Sequence, residues 1–445
     1  MHASRNLGLA TVTLVALTAT AACTGSTDTP ATVPTTVAPT EKVTITFWHG
    51  WSQPNEVKAI ADNIASFEKL HPNITVKTVP NVADDKILQG IRGGNGPDVV
   101  SSFTTDNVGM FCNGALMDLN PLLKNSGVDK DKAFLKPMVE YTQYKGKQCT
   151  LPLLGDSYGL YYNKDMFAAA GISTPPKTWS DFKADAMRLT HQKGATYSQL
   201  GFNPTFHGYE NAIAHWVSQY QPTYFKPDGT ANISGDSNFA DFLLMQKGLV
   251  DALGGFQRLE RYRATFGEEF SPQNAFEAGK VAMQIDGEWR TVSIADDGVK
   301  LNYGVAPLPV PDDAADTYGL GYVSGTVIGI PANSQHAAAA WEFTKYLTTD
   351  TQALVTFANA IHNVPSTYDS LKSPNLTKDA NFAPFLDIAQ HPKSNTTPAS
   401  PNGGEYQVIL QDFTYKWESG KVPNLEAGLK AVDTQIDKAN AQAKG

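Results

Sequence analysis

Three cysteines are all that this 445-residue chain contains, and the common catalytic signatures are missing altogether. There is no G-x-S-x-G, no H-E-x-x-H and no P-loop pattern, so acyl-transfer, zinc-protease and nucleotide chemistries lose their usual marks. A basic excess is missing too. The formal net charge is -9, which argues against a nucleic-acid binder. Long apolar runs are scarce. Leu7 to Ala22 is uncharged, but it is too short for a comfortable membrane span, and no later run approaches that length.

What stands at the N-terminus reads as an export signal. His2 and Arg5 make a weakly basic start, the apolar stretch follows, and Thr20-Ala-Ala-Cys23 closes it. This end resembles a bacterial lipobox, with Thr20 where that motif usually has leucine. The resemblance implies cleavage after residue 22 and a diacylglycerol thioether on Cys23, which would tie the protein to the outer face of the cytoplasmic membrane. Residues 24 to 41 are almost all Thr, Ala, Pro, Ser, Val and Gly, with Asp28 and Glu41 the only charges. Such a segment buries no apolar face and stays extended, as a spacer does.

The body from Lys42 to Gly445 is about 400 residues long, more than one core usually serves, so two lobes are expected. Removing Cys23 leaves Cys112 and Cys149. In an oxidising compartment they are expected to pair, stabilising by roughly 3 to 4 kcal/mol on the chain-entropy model. No histidine cluster accompanies them, so a metal site has no support, and no cofactor is expected.

Val43, Ile45 and Phe47 alternate with Thr44 and Thr46, as in a half-buried strand. Val57, Ile60, Ile64, Phe67 and Leu70 then recur at helical steps. Ile74 to Val79 alternates again, and Val99-Val100 opens a third strand after a glycine-rich turn. Strand, helix and strand at these lengths form a βαβ unit, which predicts an α/β sheet. Ligands of such sheets gather at the carboxyl ends of strands, here at Trp48 to Ser52 and Ser101 to Asp106.

Further segments carry a family resemblance. They are Ile45-Thr46-Phe47-Trp48-His49, Gly96-Pro97-Asp98-Val99-Val100, Tyr161-Tyr162-Asn163-Lys164-Asp165-Met166-Phe167 with Ala170-Gly171-Ile172, and Pro176-Lys177-Thr178-Trp179. Gly279 to Met283, Gly287-Glu288-Trp289, Tyr303 to Pro309 and Ala338 to Leu347 follow in order. Together they are similar to family 1 extracellular solute-binding proteins of ABC importers, the group of maltose- and oligosaccharide-binding proteins. The resemblance covers nearly the whole mature chain. It implies an α/β, two-lobe periplasmic-binding-protein-like clamp with a hinge and an interlobe ligand cleft. Residues 42–154 with 320–363 would form one lobe, and 155–319 with 364–445 the other. Crossings are expected near Pro152 to Gly155, Gly319 to Tyr322 and Asn363 to Ser366, where Gly or Pro occurs each time. A membrane permease would read the closed form. The partners implied are a small-molecule ligand and that permease; a monomer is expected.

Trp289 is the first candidate for the cleft, because the family places an aromatic platform here and an indole suits the C–H face of a sugar. Asp156 matches an acidic position of the maltose-binding branch, and a carboxylate accepts two hydroxyl hydrogen bonds. Tyr158 would face the same way in an extended segment. Asp106, after the third strand, is a similar candidate. Trp48, His49 and Trp51 crowd the first strand-to-helix turn, where exposed tryptophans are costly. His207, with Tyr209 and Glu210, resembles a ligand loop of the second lobe. Tyr322, Ser324 and Tyr406 lie in or beside glycine-rich runs. Arg290 is a cation that could select phosphate or carboxylate.

A di- or oligosaccharide is the expected ligand. A glycerophosphodiester or another phosphorylated polyol is the alternative, since Phe47-Trp48-His49 also resembles that branch. An exported glycoside hydrolase using Asp156, Asp286 and Glu288 is a reading from another class, and a ligand-presenting surface sensor is a third.

Overall fold

A computed structural model describes residues 34–208 and 210–443. The expected signal, Cys23 and the spacer up to Val33 lie outside the described residues, as does Tyr209.

The first three strands are β1 (Val43–Trp48), β2 (Ile74–Val79) and β3 (Val99–Ser102). β1 lies between the other two and is parallel to both. Its alternation works as expected: Val43, Ile45 and Phe47 are buried. Between β1 and β2 runs helix α1 (Pro54–Leu70), entered through a capping box in which Gln53 and Glu56 satisfy each other's backbone N–H groups. Its buried stripe is Ala59, Ile60, Asn63, Ile64 and Phe67. Leu70, expected on that stripe, is 66 % exposed. His71 stacks on Phe67 at 4.4 Å and closes the end of the stripe in its place. Helix α2 (Asp84–Arg92) leads on to β3.

A 13-residue strand, β4 (Leu151–Asn163), organises the rest. Further strands are β5 (His191–Lys193), β6 (Thr196–Phe202), β7 (Val281–Gly287), β8 (Tyr303–Ala306), β9 (Val323–Gly329) and β10 (Val364–Pro365). Among the described residues they make one mixed ten-stranded sheet in the order β2-β1-β3-β9-β4-β7-β6-β5, with β8 and β10 also paired to β4. The start of β4 pairs with β9, and its end pairs with β7 and β8. Β10 sets Val364 opposite Gly155. The three segments expected to cross between lobes therefore meet side by side at the middle of β4.

Glycine makes that meeting possible. Gly155 faces Gly325 in the β4–β9 register, and Gly325 has φ +151°. A Cβ on Gly325 would stand 2.3 Å from the Leu154 carbonyl oxygen. Only a residue without a side chain fits there.

Cys112 and Cys149 are joined by a disulfide, as expected. Cys149 lies two residues before the start of β4, so the bond ties this strand to the segment that follows β3. Among the described residues no helix is long and apolar enough to cross a membrane.

Candidate ligand cleft

Two walls enclose a cleft of about 650 Å³, within the size range of small-molecule sites. One wall is the N-terminus of α1 (Gln53, Asn55, Glu56) with Phe103 and Ile361. The other is Phe270, Trp289 and the helix α3 (Arg290–Asp296), with Val292, Ser293 and Asp296, and then Asp297. Phe103 is 48 % exposed and Phe270 is 64 % exposed. Apolar rings held open at this level cost solvation energy, and in a concave site they serve as contact surface. Among the described residues no lysine or arginine lines the cleft; Glu56, Asp296 and Asp297 do.

Local sequence explains how Trp289 is placed. β7 ends at Gly287, and the Trp289 indole lies over it: a Cβ at Gly287 would stand 2.2 Å from the ring. Trp289 remains half-buried. Tyr158 meets it edge-on at 5.7 Å. On the opposite wall, Phe103 is backed by the buried Trp51, with ring centroids 5.2 Å apart.

Beyond Trp289 the structure collects most of the candidates drawn from the sequence. Tyr158 stacks on His215 at 3.8 Å and lies 5.6 Å from Tyr322. Ser324 hydrogen-bonds Tyr158. Burial pushes the His215 imidazole down to about 4, so it is neutral at ordinary pH. The Tyr322 hydroxyl reaches the Thr397 hydroxyl at 3.0 Å, and Thr397 donates to Asp106 at 3.0 Å. Asp106 is half-buried, and burial raises its pKa from the usual carboxylate range. Tyr406 is buried beside it, with its hydroxyl donating to the Pro398 carbonyl at 2.8 Å.

Asp156 stands opposite Ser324 in the β4–β9 register and keeps part of its surface exposed. Asn363 donates to Asp156 and, at 2.9 Å, to Glu288. Burial pushes Asp156 up to about 6. It also raises the wholly buried Glu288 well above the usual carboxylate range, and the neighbouring Asp156 charge adds to the effect.

Other candidates lie elsewhere. His49 is buried within the first strand-to-helix turn, its ring 5.2 Å from Phe47. Trp48 is half-buried against α2, where a Cβ at Gly90 would stand 2.8 Å from its ring. His207 stacks on Tyr415 at 4.1 Å and lies 3.1 Å from Glu418, at a separate pocket of about 140 Å³. Arg290 has no exposed surface. Its guanidinium donates to Asp286 at 2.7 Å and to the Glu269 carbonyl at 2.6 Å, so its charge is turned inward instead of toward a ligand.

Sequence reasoning passed over Phe103, Phe270, His215 and Asn363. Phe103 carried a signal, since it lies in the Ser101–Asp106 stretch at the carboxyl end of β3. The other three lie far from it in the chain and are brought in by tertiary folding.

The chain belongs to the bacterial extracellular solute-binding protein family, whose model matches residues 50–354. It is therefore an exported protein of a family of binders. It is 24 % identical over 408 residues to a maltotriose-binding protein of Pyrococcus abyssi, covering 88 % of this chain and 81 % of that one. It is 23 % identical over 425 residues to an sn-glycerol-3-phosphate-binding periplasmic protein of Pectobacterium atrosepticum, covering 89 % and 90 %. The structure of CpMnBP1 with mannotriose bound superposes with a TM-score of 0.75 at 26 % identity, covering 88 % of this chain and all of that one. The fold is the two-lobe α/β architecture of sugar-binding proteins of this family.

Proposed function

We propose that the protein captures a neutral di- or oligosaccharide in the Trp289 cleft and delivers it to an ABC importer. The carrying observation is the cleft itself: three aromatic side chains, Phe103, Phe270 and Trp289, on two facing walls with acidic and amide groups between them. Sugars present C–H faces to rings and hydroxyls to carboxylates and amides. The walls fall on the two lobes as we assign them, 42–154 with 320–363 and 155–319 with 364–445. A ligand touching both would favour the closed form. Asp156, Tyr158, Asp106, Tyr322 and Ser324 extend the polar floor next to Trp289 in this reading. The sugar ligands of the similar proteins support it.

A glycerophosphodiester is less well served. A phosphate calls for a cation, and Arg290 is engaged inside the protein. The hydrolase reading fares no better, because Asp286 and Glu288 are fully buried and bonded to protein groups.

We further assign residues 1–22 to a cleaved signal and Cys23 to a lipid anchor, with the permease as membrane partner and the protein itself a monomer. Mass spectrometry of the mature membrane-bound protein would show a diacylglycerol on an N-terminal Cys23; an unmodified Cys23 would remove the anchor.

Thermal shift with maltotriose, mannotriose and sn-glycerol-3-phosphate tests the ligand class, since a ligand of the native state raises the melting temperature. A shift with a sugar and none with the phosphate is expected. The reverse pattern would replace the sugar by a phosphorylated polyol.

A further inference from the structure

The crossing at the middle of β4 contains two carboxyl groups where one would be costly. Β10 and β7 both run antiparallel to β4, with Val364 opposite Gly155 and Gly287 opposite Tyr158. The next residues along those registers, Asn363 and Glu288, fall opposite Asp156 and Ser157. The side chains close the gap between the two strand ends. Glu288 accepts from the Ser157 N–H at 2.9 Å through one oxygen and from the Asn363 amide at 2.9 Å through the other. The same Asn363 nitrogen also donates to Asp156. Both carboxyls thus meet on a single amide nitrogen.

The surroundings supply no counter-charge. Tyr141 approaches Asp156 from the segment before β4, Tyr158 from β4 itself and Tyr322 from ahead of β9, while Tyr161 of β4 lies near Glu288. Asp286 and Arg290 also act on Tyr161, and they pair with each other. His362, next to Asn363, bonds the Thr291 hydroxyl, and burial lowers its pKa, which favours its neutral form. Among the described residues no cation forms an ion pair with either carboxyl. Two bare carboxylates so placed would repel with only one amide and one backbone N–H to offset them, whereas one shared proton turns the repulsion into a hydrogen bond.

We propose that Glu288 is held as a carboxylic acid and hydrogen-bonds Asp156, and that this shared proton, with Asn363, locks the three crossing segments together, so that its loss loosens the hinge. Glu288 and Asn363 are then positioning residues. They hold Asp156 in place and leave its remaining surface available to a ligand. The link to ligand capture rests on the sugar-binding reading; the lock does not.

The test uses full-length mature protein, wild type, Glu288→Gln and Asp156→Asn. The wild-type minus Glu288→Gln infrared spectrum at neutral pH should contain the C=O stretch of a protonated carboxyl, and that band should disappear as pH rises. Small-angle scattering without ligand should show the wild-type radius of gyration increasing over the same range. It should stay flat in Glu288→Gln, whose side chain carries no charge at any pH, and in Asp156→Asn, which removes the repulsion. Affinity for maltotriose should fall with pH in wild type, approaching about one decade per pH unit for one linked proton, and be level in Glu288→Gln. An empty difference spectrum would overturn the shared proton. A titrating band with no change in radius would overturn the lock. If Glu288→Gln does not fold, Asp156→Asn decides the scattering arm alone. If maltotriose fails to bind, the sugar reading falls while the infrared and scattering results still judge the lock.

Discussion

Trp289 concentrates the binding reading in one side chain. Truncation removes a rigid apolar face from a site walled by other rings, so Trp289→Ala should weaken sugar binding by about 2 kcal/mol or more, the scale of aromatic anchors. Phe103→Ala should act in the same direction from the opposite wall. Calorimetry on the folded variants checks both; wild-type affinity in Trp289→Ala would mean that the platform is elsewhere. The carboxyls give a second prediction at this scale. Asp156 and Glu288 have folded pKa values raised above those of free carboxylates, Asp156 to about 6. An acid raised by folding binds its proton more tightly in the native state. Its stabilisation is complete below the unfolded pKa and is lost as pH rises through the folded one. Other buried acids behave alike: Glu269 is raised to about 7 and Glu418 to about 8, both chiefly by burial. Wild-type melting temperature should therefore fall from mildly acidic to alkaline pH, and Asp156→Asn should flatten part of that slope.

At the scale of elements, β4 is the member on which the others depend. It pairs with four other strands, β7, β8, β9 and β10, and only where registers leave room; Gly155 and Gly325 create that room at the crossing. Gly325→Ala places a Cβ against the Leu154 carbonyl at a positive φ, and both effects strain the backbone. A loss of about 1 to 3 kcal/mol is expected in denaturant unfolding, with the binding residues untouched. The Cys112–Cys149 bond fastens the start of the same strand to the segment after β3. Replacing both cysteines by serine should cost roughly 3 to 4 kcal/mol on the loop-entropy model, measured by thermal unfolding without reductant. An unchanged melting temperature would show that packing alone holds this joint.

For the whole molecule, the proposed clamp makes a prediction that no single residue carries. Saturating sugar should reduce the radius of gyration in small-angle scattering, because the two walls of the cleft approach each other. An unchanged profile would indicate either a protein that is already closed or a ligand that touches one lobe only. Variants at the cleft separate these cases: in an already closed protein, Trp289→Ala still loses affinity.

Local pattern was enough to determine much of this protein. The alternation in β1 and β2, the helical spacing of α1 and the glycine-rich turn before β3 are properties of neighbouring residues, so the α/β unit was legible from them. The disulfide was legible because only two cysteines remained in the body. The candidates Trp289, Asp156, Tyr158, Tyr322 and Asp106 came from motifs, and the fold brings them near one another. Spacing could not say which of several aromatic residues turn outward. Trp51 and Phe103 lie at adjacent strand ends, and only packing against Phe357 decides that Trp51 is the buried ring and Phe103 the exposed one. The same holds for Arg290, whose charge is oriented by Asp286 four residues away and by the distant Glu269 carbonyl. Asn363 and Glu288 reach Asp156 only through the registers of two strands far apart in the chain. Burial and charge proximity depend on these long-range pairings, so the chemistry of the crossing was decided by tertiary structure.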